Sequence, residues 1–399
     1  MIGVDNDVAY LYTLKDAPNG SIISVKLTPQ GAGERKTVIG DQGKVMSSMS
    51  LANNHIVIDF LQHATSELKI FDLQGKPVGD IPLPGPGTAG FLARQRRDEM
   101  FIAFTSYLYP TVSIRYDFNT KAMTTLFAPK IDFDFDKYET IQEFYTSKDG
   151  TKVPMFITRR KGIKLDGTNP TLLYGYGGYS ISMTPGFSAA NLAMLERGGV
   201  YAVACCRGGE EYGEDWHQAG MLDRKQNVFD DFIAGGEFLI SQGYCTSKGL
   251  AIMGGSNGGL LTGACMVQRP DLFGAVFVRV PVLDMLRFHL FTAGRYWTGE
   301  YGCADDPDQF KFMYAYSPLH NVKMNTVYPP TLVMTADTDD RVVPMHARKF
   351  AATLQAADGG DNPIYIRVEK SAGHGMGKPI AKLIDESADM YTFMFANLQ

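Results

Sequence analysis

A chain of 399 residues is long enough for two domains and a full-sized hydrophobic core. With 45% hydrophobic and 20% charged residues, it has the composition of an ordinary globular protein and not of a disordered or fibrous one. A net charge of -5 gives no basis for binding nucleic acid or an anionic membrane, and neither is expected as a partner.

Five cysteines (205, 206, 245, 265 and 303) are scattered without metal-ligand spacing, and Cys205-Cys206 lies in an apolar, strand-like run that suits reduced, buried thiols. No run is long enough to cross a bilayer, and the acidic start Met-Ile-Gly-Val-Asp-Asn-Asp lacks the apolar core of a signal peptide. A cytoplasmic location is therefore expected.

Residues 1–127 read as short strands separated by turns. Asp7–Leu14, His55–Gln62 and Glu99–Ser106 are three similar apolar runs, followed by second strands ending at Leu27, Leu73 and Phe118. The spacings of 46 and 45 residues match the period of four-stranded propeller blades. Asp72-Leu-Gln-Gly and Asp117-Phe-Asn-Thr read as equivalent hairpin turns in consecutive repeats. Three blades fall short of the roughly four to eight of a closed propeller. An unpaired edge is expected at Asp7–Leu14 and its partners, and with it self-association.

A connector from Lys130 to Thr140 alternates Asp132, Asp134 and Asp136 with phenylalanines, a pattern that reads as an exposed strand face. From residue 128 onward strands alternate with helices. Strands are expected at 138–146, 153–159, 171–174, 200–206, 250–253, 275–280, 331–336 and 364–368. Helices are expected at 192–197, 228–242, 260–268 and 344–357, and from about residue 378. This alternation predicts an α/β, mostly parallel, doubly wound sheet for 128–399, with chemistry beyond the carboxyl ends of its strands.

Within that frame Leu250-Ala-Ile-Met-Gly-Gly-Ser256-Asn-Gly-Gly is a strand, a glycine-flanked serine and the start of a helix. Gly254-x-Ser256-x-Gly258 has the form of a nucleophile elbow, which would expose Ser256 and aim the N–H of Asn257 at a developing oxyanion. In such folds the acid and the histidine follow the serine. His289, His320, His346 and His374 qualify by order. His346 sits just inside a helix begun at Pro344, whereas His374 lies in the glycine-rich loop Ser371-Ala-Gly-His-Gly-Met-Gly377 directly after a strand. His374 is therefore the expected base. The acid is expected after the strand ending at Ala336, where Asp337, Asp339 and Asp340 compete and spacing alone does not choose.

Taken in order, Tyr174-Gly-Tyr-Gly-Gly-Tyr179, Arg207-Gly-Gly, Gly254-Gly-Ser-Asn-Gly-Gly259, Tyr296-Trp-Thr, Asp339-Asp-Arg-Val-Val-Pro344 and Gly373-His-Gly resemble the prolyl oligopeptidase family. The resemblance covers about residues 130–399 and the last propeller blades. It implies an α/β-hydrolase peptidase domain (128–399) after a partial β-propeller (1–127), with Ser256, Asp339 and His374 as the triad. Tyr176 and Asn257 would form the oxyanion hole. Trp297 would face the substrate proline, with Tyr301, Val282 and Val342 around it, and Arg341 would hold a substrate carbonyl. Tyr179 stands where the family commonly has phenylalanine.

The implied activity is cleavage of short peptides after proline through an acyl-enzyme, with no cofactor and no metal. A peptide macrocyclase of the same family and an inactive truncated scaffold are the alternatives. Measured against the family, an N-terminally truncated chain is expected, without the helical segment and about four blades that come before these three in the family.

Overall fold

The paired runs in the N-terminal third are the middle strands of three four-stranded antiparallel sheets. The first sheet contains β1 (Gly3–Asp5), β2 (Val8–Thr13), β3 (Ser21–Thr28) and β4 (Gly31–Ile39). The second contains β5 (Val45–Ala52), β6 (His55–Gln62), β7 (Thr65–Asp72) and β8 (Pro77–Ile81), and the third β9 (Thr88–Ala93), β10 (Glu99–Ser106), β11 (Tyr109–Asp117) and β12 (Met123–Phe127). This computed structural model describes every residue except Met376, which falls in the expected histidine loop, and Gln399.

Alternation along the strands puts one apolar row on each face, so neighbouring sheets stack through shared cores. Tyr10, Ile22, Ile56 and Phe60 belong to one cluster, and Leu68, Met100, Phe104 and Ile114 to the next. The two hairpin turns use the same device. Asp72 Oδ1 accepts the N–H groups of Gln74 and Lys76 at 2.9 and 2.8 Å, and Asp117 Oδ1 accepts those of Asn119 and Thr120 at 3.0 and 2.9 Å. One expectation is corrected: Asp7–Leu14 is no edge, because β2 pairs with both β1 and β3. The repeat reveals equivalent strands but not their place in a sheet, which the pairing of the short β1 decides.

A buried carboxylate sits among the blades. Asp59, on β6, is 3% exposed; its Oδ2 accepts from Ser66 Oγ at 3.0 Å, and that hydroxyl accepts from Ala89 N–H at 2.9 Å. Burial raises its pKa to about 7, against the opposing hydrogen bonds of Ser66 and the Glu67 backbone. Because the folded pKa lies above the unfolded one, the folded state holds the extra proton, and stability falls as pH rises from about 4 to about 7. Asp59→Asn is therefore expected to stabilise the blades above pH 7 and to be nearly neutral below pH 4. Denaturant midpoints of both proteins across that range check the sign of the difference.

The second half forms one eight-stranded sheet in the order β13-β14-β16-β15-β17-β18-β19-β20. These are β13 (Tyr138–Thr146), β14 (Lys152–Arg160), β15 (Thr171–Tyr174), β16 (Val200–Ala204), β17 (Leu250–Gly255), β18 (Ala275–Arg279), β19 (Thr331–Ala336) and β20 (Ile364–Glu369). The β13–β14 and β14–β16 pairs are antiparallel and all others parallel. The principal helices are α1 (Ala189–Glu196), α2 (Gln226–Ser241), α3 (Asn257–Gln268), α4 (Pro307–Tyr316), α5 (Met345–Ala357) and α6 (Ile380–Asn397).

β17 reads as an unbroken apolar run because helices cover the faces of a parallel sheet, and α3 behind it is buried on nearly every side. The chain divides into two compact units. Met1–Phe135 is joined by Thr184–Ser188 and Glu210–Trp216 in one, and the rest makes the other. Among the described residues no helix is long and apolar enough to cross a membrane.

Candidate active site

The site grows from the carboxyl ends of four parallel strands, β15, β17, β19 and β20. β17 ends in the turn Gly254-Gly-Ser256-Asn-Gly258, where Ser256 has φ 58° and ψ -116°. That conformation is strained for an L-residue and persists only where surroundings enforce it. Glycine is obligatory beside it: a Cβ on Gly254 would lie 2.1 Å from the Gly258 carbonyl oxygen. The helix α3 then begins at Asn257, so its first free N–H groups and the positive end of its dipole gather around Ser256.

His374, on the loop after β20, reaches back to this turn. Its Nε2 lies 3.1 Å from Ser256 Oγ, and its Nδ1 lies 2.7 Å from Asp339 Oδ2. Asp339 follows β19, and its side chain is fully buried. Its Oδ1 accepts the N–H groups of Arg341 (3.1 Å) and Val342 (2.9 Å), which aim Oδ2 at the imidazole. Tertiary structure thus distinguishes the three aspartates. Asp340 is exposed, and Asp337, also exposed, accepts from Ala372 N–H at 3.4 Å. Thr338 helps as well, its hydroxyl donating to the Ala372 carbonyl at 2.7 Å. Asp337 and Thr338 hold the histidine loop but do not touch the ring.

His346 is a packed helix residue. It is buried, accepts the N–H groups of Leu283 and Asp284 at 3.3 and 3.1 Å, and is held down to about 4 by burial. His320 bonds Ser317 Oγ at 2.7 Å.

Tyr176, just past β15, hydrogen-bonds Ser256, while burial raises its phenol pKa and keeps it a neutral donor. The Asn257 side chain braces this corner. Its Nδ2 donates to the Tyr176 carbonyl at 2.6 Å, and its Oδ1 accepts from the Tyr301 hydroxyl at 2.8 Å. Tyr301 is itself fully buried and meets Tyr179 edge to face at 5.6 Å. Trp297 is half-buried and stacks at 6.3 Å on Phe288. Val282 and Val342 are buried, and Arg341 is exposed.

Sequence reading missed a buried ion network under this corner. Lys225 Nζ donates to the Gly177 carbonyl at 2.9 Å and to Glu300 Oε1 at 3.1 Å, and His217 Nε2 lies 2.9 Å from Glu300 Oε2. Burial depresses the Lys225 pKa against the pull of Glu300. Burial also pushes the Glu300 carboxyl up, but His217 and Lys225 outweigh it and hold it below the ordinary range. The network grips the carbonyl of Gly177, the residue after Tyr176. A buried pair of this kind is strongly destabilising to break. Nothing in the spacing of Lys225 and Glu300 signals it, since 75 residues separate them.

A sequence profile described as "Prolyl oligopeptidase family" matches residues 185–399, and one described as "Prolyl oligopeptidase, N-terminal beta-propeller domain" matches residues 2–128. The chain is 44% identical over 395 residues to the prolyl endopeptidase of Elizabethkingia miricola, covering 98% of this chain and 56% of that protein. It is 41% identical over 400 residues to the prolyl endopeptidase of Dictyostelium discoideum, covering 96% and 53%. Among solved structures it is similar to prolyl oligopeptidase B from Galerina marginata bound to a 35mer hydrolysis and macrocyclization substrate. That match has a TM-score of 0.96 and 36% identity, and covers 100% of this chain and 57% of that one. The chain therefore spans little more than half the length of these relatives. With both profiles matched in order, the chain belongs to the prolyl oligopeptidase family.

Proposed function

We propose that the chain is a serine peptidase that cleaves short peptides on the carboxyl side of proline. The observation that carries this reading is the continuous run Asp339–His374–Ser256, with the Tyr176 phenol beside the hydroxyl. In this reading Ser256 Oγ attacks the scissile carbonyl while His374 Nε2 takes its proton. Asp339 holds Nδ1–H and stabilises the imidazolium. The Asn257 N–H and the Tyr176 hydroxyl receive the oxyanion, and His374 then protonates the leaving amine. Water, activated by the same histidine, releases the acyl group from Ser256.

The similarity to a protein whose structure carries a hydrolysis and macrocyclization substrate supports a second outcome of the same intermediate, in which a peptide amine replaces water. Turnover of a proline-type reporter beside alanine and arginine reporters, with fluorophosphonate labelling of Ser256, tests the main reading. Labelling without proline preference would overturn the specificity, and absence of labelling would leave the scaffold alternative. A cyclic product from a long peptide would favour the second outcome. The five free cysteines, four of them buried, are compatible with the cytoplasmic setting we propose.

For specificity, the indole of Trp297 offers a flat apolar surface to a proline ring, within a wall that includes Tyr179, Tyr301, Val282 and Val342, while Arg341 is free to hold an upstream carbonyl. Trp297→Ala is expected to cost about 1–3 kcal/mol in kcat/KM for a proline substrate. A smaller loss is expected for alanine; equal losses would make Trp297 a packing residue only.

Self-association through the blades is proposed at a different edge from the one first expected. β12 is an outer strand carrying exposed Leu126 and Phe127. β4, by contrast, is guarded by Glu34, Arg35 and Lys36, and β8 opens with Pro77. Sedimentation should show concentration-dependent association that Phe127→Lys reduces.

A further inference from the structure

Away from the serine, the segment bearing Trp297 is closed at its base by three side chains that share one small space. His289 lies in the single turn Phe288–Leu290, and Cys303 and Asp305 follow the turn Thr298–Tyr301. One ligand atom from each of the three lies within 4.8 Å of the others. The His289 side chain is 8% exposed, and neither ring nitrogen has a hydrogen-bond partner. Nε2 stands 3.4 Å from Asp305 Oδ2, too poorly aligned to count as a hydrogen bond. A buried imidazole with both nitrogens unused is costly, since such groups are nearly always satisfied.

The backbone that carries the other two ligands is held in place. Cys303 N–H donates to Gln309 Oε1 at 2.7 Å, and Asp306 N–H donates to the Cys303 carbonyl at 3.1 Å. Asp306 in turn caps α4 through the N–H groups of Asp308 and Gln309. The turn that presents Cys303 and Asp305 is thus keyed to a helix terminus.

We propose that His289, Cys303 and Asp305 form a binding site for a zinc ion, with water as fourth ligand. Imidazole nitrogen, thiolate and carboxylate are each ordinary zinc ligands, and three protein ligands plus water make a recognised tetrahedral set. A tetrahedral ion holds its ligand atoms roughly 3–4 Å apart, a distance that rotation of the exposed Asp305 side chain supplies. Charge balances: a dication meets one thiolate, one carboxylate and a neutral imidazole. On binding, the Cys303 S–H bond breaks, its proton passes to solvent and an S–Zn bond forms. The ion would tie together both ends of residues 289–305, the segment that carries Trp297, and so restrain that segment without touching Ser256.

The test uses the full chain with Co²⁺ as a spectroscopic substitute and Zn²⁺ as competitor. The expected result is one ion per chain, a thiolate-to-cobalt charge-transfer band displaced by Zn²⁺, and slower amide exchange over residues 291–302. Cys303→Ser should abolish the band. Asp305→Asn, at an exposed position that leaves folding intact, should weaken binding by at least the roughly 10–100-fold seen for loss of an outer-shell partner. Absence of the band in the wild-type chain, or its survival in Cys303→Ser, would overturn the proposal. The readouts are independent of peptide turnover.

Discussion

Ser256→Ala is expected to lower kcat by roughly 10⁶ and leave the fold intact, the scale of loss when a triad nucleophile is removed. Both halves of that expectation follow from the geometry. The Ser256 hydroxyl is the atom that His374 Nε2 faces at 3.1 Å, so its removal leaves the base with no proton to take and no acyl-enzyme to form. The strain at φ 58° belongs to the backbone and is the same for alanine, held by the hydrogen bonds from Ser256 N–H to the Arg279 carbonyl and from Gly259 N–H to the Ser256 carbonyl. Thermal unfolding should match the wild type, while reporter turnover and fluorophosphonate labelling vanish together. Turnover that persists in this variant would contradict the proposed mechanism.

The second large effect is expected at Asp339. Asp339→Asn should reduce kcat by roughly 10⁴. The backbone N–H groups of Arg341 and Val342 require an acceptor, so the amide oxygen of asparagine takes the place of Oδ1. Its NH₂ is then turned toward Nδ1 of His374. The ring responds by carrying its proton on Nε2, the nitrogen that should accept from Ser256. Asp337→Asn, which alters an exposed group contacting only the loop backbone, should cost little. Kinetics of the two variants side by side decide the matter, and a larger loss at Asp337 would reverse the assignment.

Much of this was legible before any tertiary structure. The 46- and 45-residue spacings locate the blades because each blade is one repeat of the same strand-and-turn chemistry, and the Asp72 and Asp117 turns carry their signal in adjacent residues. The Ser256 elbow was legible for the same reason: its glycines, apolar strand and helix start are contiguous, and the steric demand is local. His374 is distinguishable from His346 because a loop after a strand and a position inside a helix differ in sequence.

What only the tertiary structure decided concerns groups brought together by the crossing of strands. Which aspartate meets His374 depends on how the loop after β19 turns against the loop after β20, and Asp337, Asp339 and Asp340 are equivalent until Arg341 and Val342 donate to one of them. The edge of the first sheet is not legible in the sequence because β1 is only three residues long and its pairing leaves no periodic trace. Lys225 and Glu300 are joined across the fold, and His289 is brought beside Cys303 and Asp305, with no helical or strand spacing to announce either. Local sequence specifies turns and periods, where the interacting atoms lie a few bonds apart. Long-range polar contacts depend on the packing of whole elements, and burial then makes the meeting of those few side chains energetically decisive.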